Sequence, residues 1–525
     1  MRRSALVMGL CLALAIASAG SSKIIYVDDD AQPGGDGKSW ATAYRYLQDA
    51  LADAKAADKP VEVHVAQGVY KPDQGANQKP GERNASFYLM NGLSLLGGYA
   101  GIGVADCNVR EIELYKTVLS GDLGGNDVVA DDPCDLENEP SRAENSYHVV
   151  RAFMLDATPV LEGFTITAGN ADGDPPSDRY KGGGLLCELC KNLLLAKCTF
   201  RGNFARSGGG MFNYNSNPRL TSCSFIGNAA SGAGGFGGGI AGTYRSSPTV
   251  NNCTFSRNCA VGGGGISNHG GEPKFTSCDF TRNLASMGGA AYIDDSLISF
   301  ESCKFRFNSA SIGGAAATTS PRCLLNRCLF EGNSAKVRGG GIGASGGNNI
   351  TVTNCTFSGN TSPKGNAFSL ERRQNALWIV SSILWDGGHE IRDESNSPVT
   401  VTYSNVFGSW PGAGNLDVDP RFGDASRGDY HLKSQGGRWD PIDQTWIIDD
   451  VTSPCIDAGD PNSPIGYEPF PNGARVNMGA YGGTQEASKS YFGKAPCAKI
   501  VAGDIDGDCQ VNIRDLVILA SHWLE

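Results

Sequence analysis

Charge is scarce in this 525-residue chain: Asp, Glu, Lys and Arg make up 19 %, and the net charge is −11. There is no cationic surplus to hold a polyanion, which argues against nucleic acid as the main partner. Beyond the extreme N-terminus no apolar run approaches the ~18 residues of a membrane helix, so no transmembrane segment is expected. The 71 glycines do not recur at the collagen period. A hydrophobic content of 40 % also excludes a disordered acidic tail. What remains is a glycine-rich chain with many tight turns, whose charge suits calcium or a neutral polymer as partner.

The first residues read as an export signal. Arg2 and Arg3 precede an apolar run over residues 5–17, and Ala17-Ser18-Ala19 has the small-residue pattern of a cleavage site. A signal peptide over residues 1–19 predicts a secreted or cell-surface protein. Of the 17 cysteines only Cys11 lies in that segment, so 16 would enter a compartment that permits disulfides.

The pattern Cys-x-Phe-x-x-Asn occurs seven times, with its cysteines at Cys198, Cys223, Cys253, Cys278, Cys303, Cys328 and Cys355. An apolar residue stands three positions before each, and glycine clusters follow each asparagine. Such a period marks a solenoid. About 25 residues leave room for three short strands and three turns, too few for a strand, a helix and returns. The fold expected is therefore all-β, a right-handed parallel β-helix. Cys and Phe, two apart, should share an inward face. The asparagine breaks the alternation and should turn, its side chain tolerating left-handed backbone and bonding main chain of the next coil. The cysteines read as stacked interior thiols rather than as bridges or metal ligands.

Flanking segments extend the solenoid over residues 20–485. A strand over residues 24–27 leads to a helix with Ala43, Leu47, Ala50, Leu51 and Ala54 on one face, expected to cap the open end. Less regular coils follow between residues 87 and 170, further coils at 378–385 and 399–406, and irregular closing structure from 454 to 483. The Phe-x-x-Asn…Gly-Gly pattern resembles the repeats of the polymorphic outer-membrane proteins, a bacterial surface family with right-handed β-helices. Val65-Ala66-Gln67-Gly68-Val69-Tyr70, Gly163-Phe164-Thr165-Ile166 and Met478-Gly479-Ala480-Tyr481-Gly482-Gly483 are similar to that family's segments too. The resemblance implies the fold strongly and function weakly, because this scaffold carries adhesins, carbohydrate-binding modules and polysaccharide lyases alike.

After a linker over residues 486–498, residues 499–525 form a sharper motif. Asp504, Asp506, Asp508, Asn512 and Asp515 occupy positions 1, 3, 5, 9 and 12 of a twelve-residue Ca2+ loop, with the carbonyl of Gln510 at position 7. Leu516, Val517, Ala520, Trp523 and Leu524 give the following helix one apolar side. The segment is similar to one half of a type I dockerin, which implies an EF-hand-like calcium hook and a cohesin-like partner. Two departures stand out: Cys509 replaces the position-6 glycine, which strains the turn unless a bridge such as one to Cys497 fixes it, and a single loop is present.

Chemistry is thin elsewhere. Asp294-Asp295 reads as a turn rather than a carboxylate pair, and His269 in Asn268-His269-Gly270-Gly271 as part of a glycine-rich turn. Asp172, Asp174 and Asp178 fall in a solvated loop that could hold calcium, and Cys187-x-x-Cys190 lacks the second pair of a zinc site. Two functions stay open. One is a non-catalytic binding scaffold for a polysaccharide or surface, displayed through its calcium hook. The other is a carbohydrate-active enzyme, a polysaccharide lyase or O-glycosyl hydrolase. The absence of a recognisable acid/base set favours the first.

Overall fold

The computed structural model describes residues 22–491 apart from 233, 372–375 and 395, and then 503, 505 and 510–521. The expected signal segment lies outside them. The rest is a parallel β-solenoid. One coil runs through Leu194–Ala196, Thr199–Arg201, Phe204–Ala205 and Met211–Tyr214, and the next begins at Arg219–Thr221. Each strand pairs in parallel, in register, with its counterparts in neighbouring coils. Among the described residues the four resulting sheets hold 13, 12, 7 and 11 strands in that order along the coil.

Four sheets replace the three strands expected per coil. The extra one starts narrow, since in its first coils only two residues after the asparagine pair with their neighbours, Phe204–Ala205 and then Ala229–Ala230, and it widens to four or five residues from Cys259–Gly262 onward. The side chains of those first two pairs are buried, so a stretch that reads as turn in sequence is a wall of the solenoid.

The repeat's physical basis is now explicit. Phe200, Phe225, Phe255, Phe280, Phe305, Phe330 and Phe357 stack face to face, with centroids 4.4–5.0 Å apart and planes within 7°. That spacing follows the ~4.8 Å rise between parallel coils. All seven rings are fully buried, so each contributes about 1.5–3 kcal/mol by removal from water. The seven repeat cysteines are buried free thiols. Cys223, for example, donates its S–H toward the carbonyl of Leu195 or of Thr221, at 3.5 Å each. Each repeat cysteine sits at the bend between the first two sheets, not within a strand beside Phe. The residue before it takes the left-handed conformation, as at Lys197, Ser222 and Asn252.

The asparagines are fully buried at the second bend. Asn228 donates from Nδ2 to the carbonyl of Phe200 at 2.9 Å, and its Oδ1 accepts from the backbone N–H of Asn203 at 3.1 Å and from Asn203 Nδ2 at 3.0 Å. The same pattern recurs through Asn360. Each side chain therefore bonds main chain of the preceding coil, not the next one as expected. The left-handed residue is the one before it, such as Gly202 or Arg257. At the glycine corner, Gly263 has φ +68°, and a Cβ there would lie 1.9 Å from the carbonyl oxygen of Ile266. Only glycine fits.

At the N-terminal end the helix Leu47–Ala56 falls in the connection between the strands Lys23–Val27 and Val61–Ala66, which pair with each other in parallel. It buries Leu47, Ala50, Leu51 and Ala54 in the main core; Ala43, also buried, precedes it. At the other end Asp386 replaces the next asparagine and accepts from the backbone N–H and Nδ2 of Asn360. Two short antiparallel hairpins, Phe422–Asp424 with Asp429–Leu432 and Arg438–Asp440 with Thr445–Ile447, begin the closing segment, which becomes irregular over residues 454–483. No helix among the described residues is long and apolar enough to cross a membrane.

Candidate functional site

The interior repeats from coil to coil through the seven regular repeats, so a site there must come from residues that differ between coils. They gather at the corner where the fourth sheet turns into the first. There the ends of successive strands stack in register: Glu188 on Tyr214, Tyr214 on Thr243, and His269 on Asp294. Consecutive coils thus place outward side chains ~4.8 Å apart along one edge.

Beside this edge lies an open groove of about 630 Å³, lined by Arg245, Ser247, Thr249, Gly271, Glu272, Lys274, Asp295, Leu297 and Pro321. The polar residues come from three successive turns and the first residues of the strands Thr249–Asn251 and Lys274–Thr276. Within the described residues, none of Arg245, Glu272, Lys274 and Asp295 makes an ion pair, although 19 Lys/Arg–carboxylate pairs form elsewhere. Unpaired charges of both signs in a concave site are free to meet a ligand's polar groups. Tyr244, directly before Arg245, is 67 % exposed, with its ring 4.7 Å from that of Tyr214 in the preceding coil.

His269 stands on the same edge, two residues before the groove-lining Gly271. It is the last residue of the strand Ile266–His269 rather than part of the turn, and Asp294 likewise ends the strand Ala291–Asp294. His269 Nδ1 lies 2.8 Å from Asp294 Oδ2, and Thr319 Oγ1 donates to the other carboxylate oxygen. A carboxylate on Nδ1 favours the tautomer with its proton there, which leaves the Nε2 lone pair outward. No described residue meets Nε2. That lone pair can accept a proton. Asp295 takes a left-handed turn conformation and lines the groove, so the two adjacent aspartates do part, as the strand alternation required. Sequence reading weighed His269 and Asp294 separately and missed their partnership, because 25 residues lie between them; only the coil period could have revealed it.

The other expectations resolve differently. Asp172, Asp174 and Asp178 are not clustered: they pair with Arg83 at 2.8 Å, Arg206 at 2.9 Å and Arg151 at 2.5 Å. Those arginines occupy the oxygens a cation would need. Cys187 and Cys190 are buried free thiols. Cys134 and Cys259 form a disulfide that the repeat gave no sign of, since Cys259 lies outside it and Cys134 comes from a remote loop. Asp504, Asp506, Asp508 and Cys509 lie outside the described residues, as do Cys497, Trp523 and Leu524. Within the described residues, Gln510 is exposed, Asn512 donates its backbone N–H to Asp515 Oδ2 at 2.7 Å, and Asp515 Oδ1 accepts from the N–H of Ile505 at 2.5 Å. The helix Ile513–Ser521 follows, with Leu516 and Val517 exposed.

A second concavity, about 320 Å³, lies where the closing segment meets the second sheet, lined by Lys304, Arg327, Tyr467, Tyr481 and Glu486 among others. Two of its three charged side chains are used internally. Arg327 pairs with Glu301 at 2.9 Å, and Glu486 is 3.3 Å from the buried His431. It reads as a seam that holds the closing segment down.

The family model described as right handed beta helix region matches residues 91–280, and one described as disaggregatase related matches residues 346–459. No curated protein matches the chain. Among solved structures it is similar to the pectate lyase Pel9A, with 12 % identity over 88 % of this chain and 96 % of that one, TM-score 0.42. It is also similar to the pectin methylesterase PemA from Erwinia chrysanthemi, with 11 % identity over 75 % and 92 %, TM-score 0.24. The Family 28 exopolygalacturonase of Yersinia enterocolitica gives 11 % identity over 73 % and 71 %, TM-score 0.24. At such values these likenesses carry no chemistry over to this chain. The molecule is a right-handed parallel β-helix.

Proposed function

We propose that this chain is an exported polysaccharide-binding scaffold whose ligand lies in the groove at the corner of the fourth and first sheets. The observation that carries the reading is the set of four unpaired charged side chains, Arg245, Glu272, Lys274 and Asp295, facing one groove beside the exposed Tyr244. Sugar rings offer apolar C–H faces that pack on aromatic rings and hydroxyls that bond to charged groups. An edge that continues over several coils suits a polymer better than a single sugar. In this reading the C-terminal segment is a calcium hook: Asp504, Asp506, Asp508, Gln510, Asn512 and Asp515 would hold Ca2+ through hard oxygen donors. The two backbone hydrogen bonds that Asp515 accepts, from Ile505 and Asn512, support such a loop by drawing its ends together. The hook would attach the scaffold to a cohesin-like protein.

One observation favours the alternative of a carbohydrate-active enzyme: the His269–Asp294 contact, which supplies an oriented proton acceptor on the edge beside the groove. The two readings separate in one assay. Titration of the full chain with a panel of acidic and neutral polysaccharides should show binding to at least one, and reducing-end or unsaturated-product release from the bound polymer identifies the enzyme. Binding without product supports the scaffold; no binding to any member of the panel overturns both.

A further inference from the structure

The loop over residues 121–149, between the strands Thr117–Ser120 and Val150–Phe153, carries a second cluster of oxygen donors unrelated to the C-terminal segment. Asp122, Asp127 and Glu144 each bring a carboxylate oxygen to a place where all three lie within 4.8 Å of one another. Oxygens bound to one Ca2+ at 2.3–2.6 Å stand at most about 5 Å apart, so this spacing fits a shared ion.

Part of this cluster is already occupied. Asp122 Oδ1 accepts from the N–H groups of Gly125 at 2.5 Å and Asn126 at 3.2 Å, and Oδ2 from that of Asp127 at 3.3 Å. Asp127 Oδ2 accepts from Asn145 Nδ2 at 2.9 Å and Arg142 Nη1 at 3.2 Å. What remains is unusual. Asp127 Oδ1 and Glu144 Oε1 are covered from solvent and accept from no described group. Asn145, fully buried, turns its carboxamide onto Asp127 through Nδ2, yet its Oδ1 also has no partner. An orphaned buried carboxylate oxygen costs more than an ordinary lost hydrogen bond, and two of them, with an unpartnered carboxamide oxygen on the side chain bonded to Asp127, call for a cation. A Cβ on Gly124 would lie 2.5 Å from Asn126 Oδ1 and 2.9 Å from Glu144 Oε1, so the backbone there leaves these oxygens room to converge. Two protein cations are near: Arg142 on Asp127, and Lys71, whose Nζ donates to the carbonyl of Leu123 at 3.2 Å. Three carboxylates against these two leave a negative balance.

The geometry points to a calcium site formed by Asp122, Asp127, Glu144 and the Asn145 carboxamide oxygen. The donor set holds only oxygen, which selects a hard cation over zinc or copper. The ion would lock the base of a loop already pinned at its tip by the Cys134–Cys259 disulfide and by Leu136, which packs on Phe204 and Ala229 over the third sheet. Arg142 secures the same base by donating from Nη2 to the carbonyl of Gly169 at 3.0 Å.

Hydrogen exchange followed by mass spectrometry on the full chain tests the site locally, apart from any uptake by the C-terminal loop. Adding 2 mM CaCl2 after chelation should slow exchange at least about tenfold in peptides covering residues 121–149, and Glu144→Gln should abolish that slowing. Glu144 has no described bonding partner, so the substitution leaves the apo fold intact; Asp127→Asn should act in the same direction. The slowing should persist in Asp504→Ala, which separates this site from the C-terminal one. Equal exchange with and without calcium in residues 121–149, or slowing that survives Glu144→Gln, overturns the proposal.

Discussion

The inside and the outside of this solenoid are built by opposite rules. Within the repeat, the second sheet places a phenylalanine on a phenylalanine and, at the bend after it, an asparagine bonded to an asparagine, coil after coil. Along the outer corner of the fourth sheet the stacked residues change at each step, from Tyr214 to Thr243 and from His269 to Asp294. Identity between neighbours is what a stack needs, because each coil must present the same shape and the same hydrogen-bond partner to the next. Difference between neighbours is what a site needs, because chemistry requires unlike groups side by side. Interior residues should therefore govern stability and leave binding to the corner.

The largest break in that contrast is expected from the aromatic stack. Phe280→Ala removes a fully buried ring between Phe255 and Phe305 and should lower stability by about 3–5 kcal/mol in urea unfolding. The asparagine stack comes next. Asn258→Ala leaves the carbonyl of Phe225 and the backbone N–H of Asn228 without their partners, and strips Asn283 Oδ1 of one donor. A loss of about 2–4 kcal/mol should follow, visible as a lower urea midpoint. Losses under about 0.5 kcal/mol at either position would show that the repeat does not hold the solenoid together.

A smaller effect sharpens the comparison at the end of the asparagine stack. Burial, reinforced by the neighbouring Glu390 carboxylate, raises the Asp386 carboxyl well above the ordinary range. Its Oδ2 is covered, and Glu390 Oε1 accepts three backbone N–H groups, from Asp386, Gly387 and Gly388. The folded chain thus keeps a proton that the unfolded chain releases near pH 4. The stability tied to this proton is complete below that pH and declines as the pH rises toward the folded value. Asp386→Asn keeps an acceptor for Asn360 and removes the titration. The wild type should lose stability relative to this variant between pH 4 and pH 8; a gap that stays constant or reverses would contradict the assignment.

The same contrast explains what was legible in the sequence. The solenoid, the inward Phe and Cys, the capping helix and the irregular closing segment were readable because repetition and periodicity report on burial. The third sheet was hidden, since residues such as Ala229 and Ala230 carry no strand signature and pair only because their coil neighbours do. The asparagine's partners were placed in the wrong coil, because spacing fixes the bend but not the direction of its bonds. His269 and Asp294 stand one coil period apart and were legible only through that period, whereas Cys134 with Cys259 and Asp172 with Arg83 depend on contacts between coils or loops made by residues that occur once. A non-repeating contact leaves no period to read.

The central claim, that the corner holds the ligand while the interior holds the fold, is tested most directly by calorimetric titration of His269→Ala and Tyr244→Ala with the polysaccharide that binds the wild type best. Both side chains are largely exposed, so each variant should unfold within about 0.5 kcal/mol of the wild type. Each should bind at least about tenfold more weakly, equivalent to about 1.4 kcal/mol. Wild-type affinity in both variants would contradict the account and place the ligand elsewhere on the solenoid.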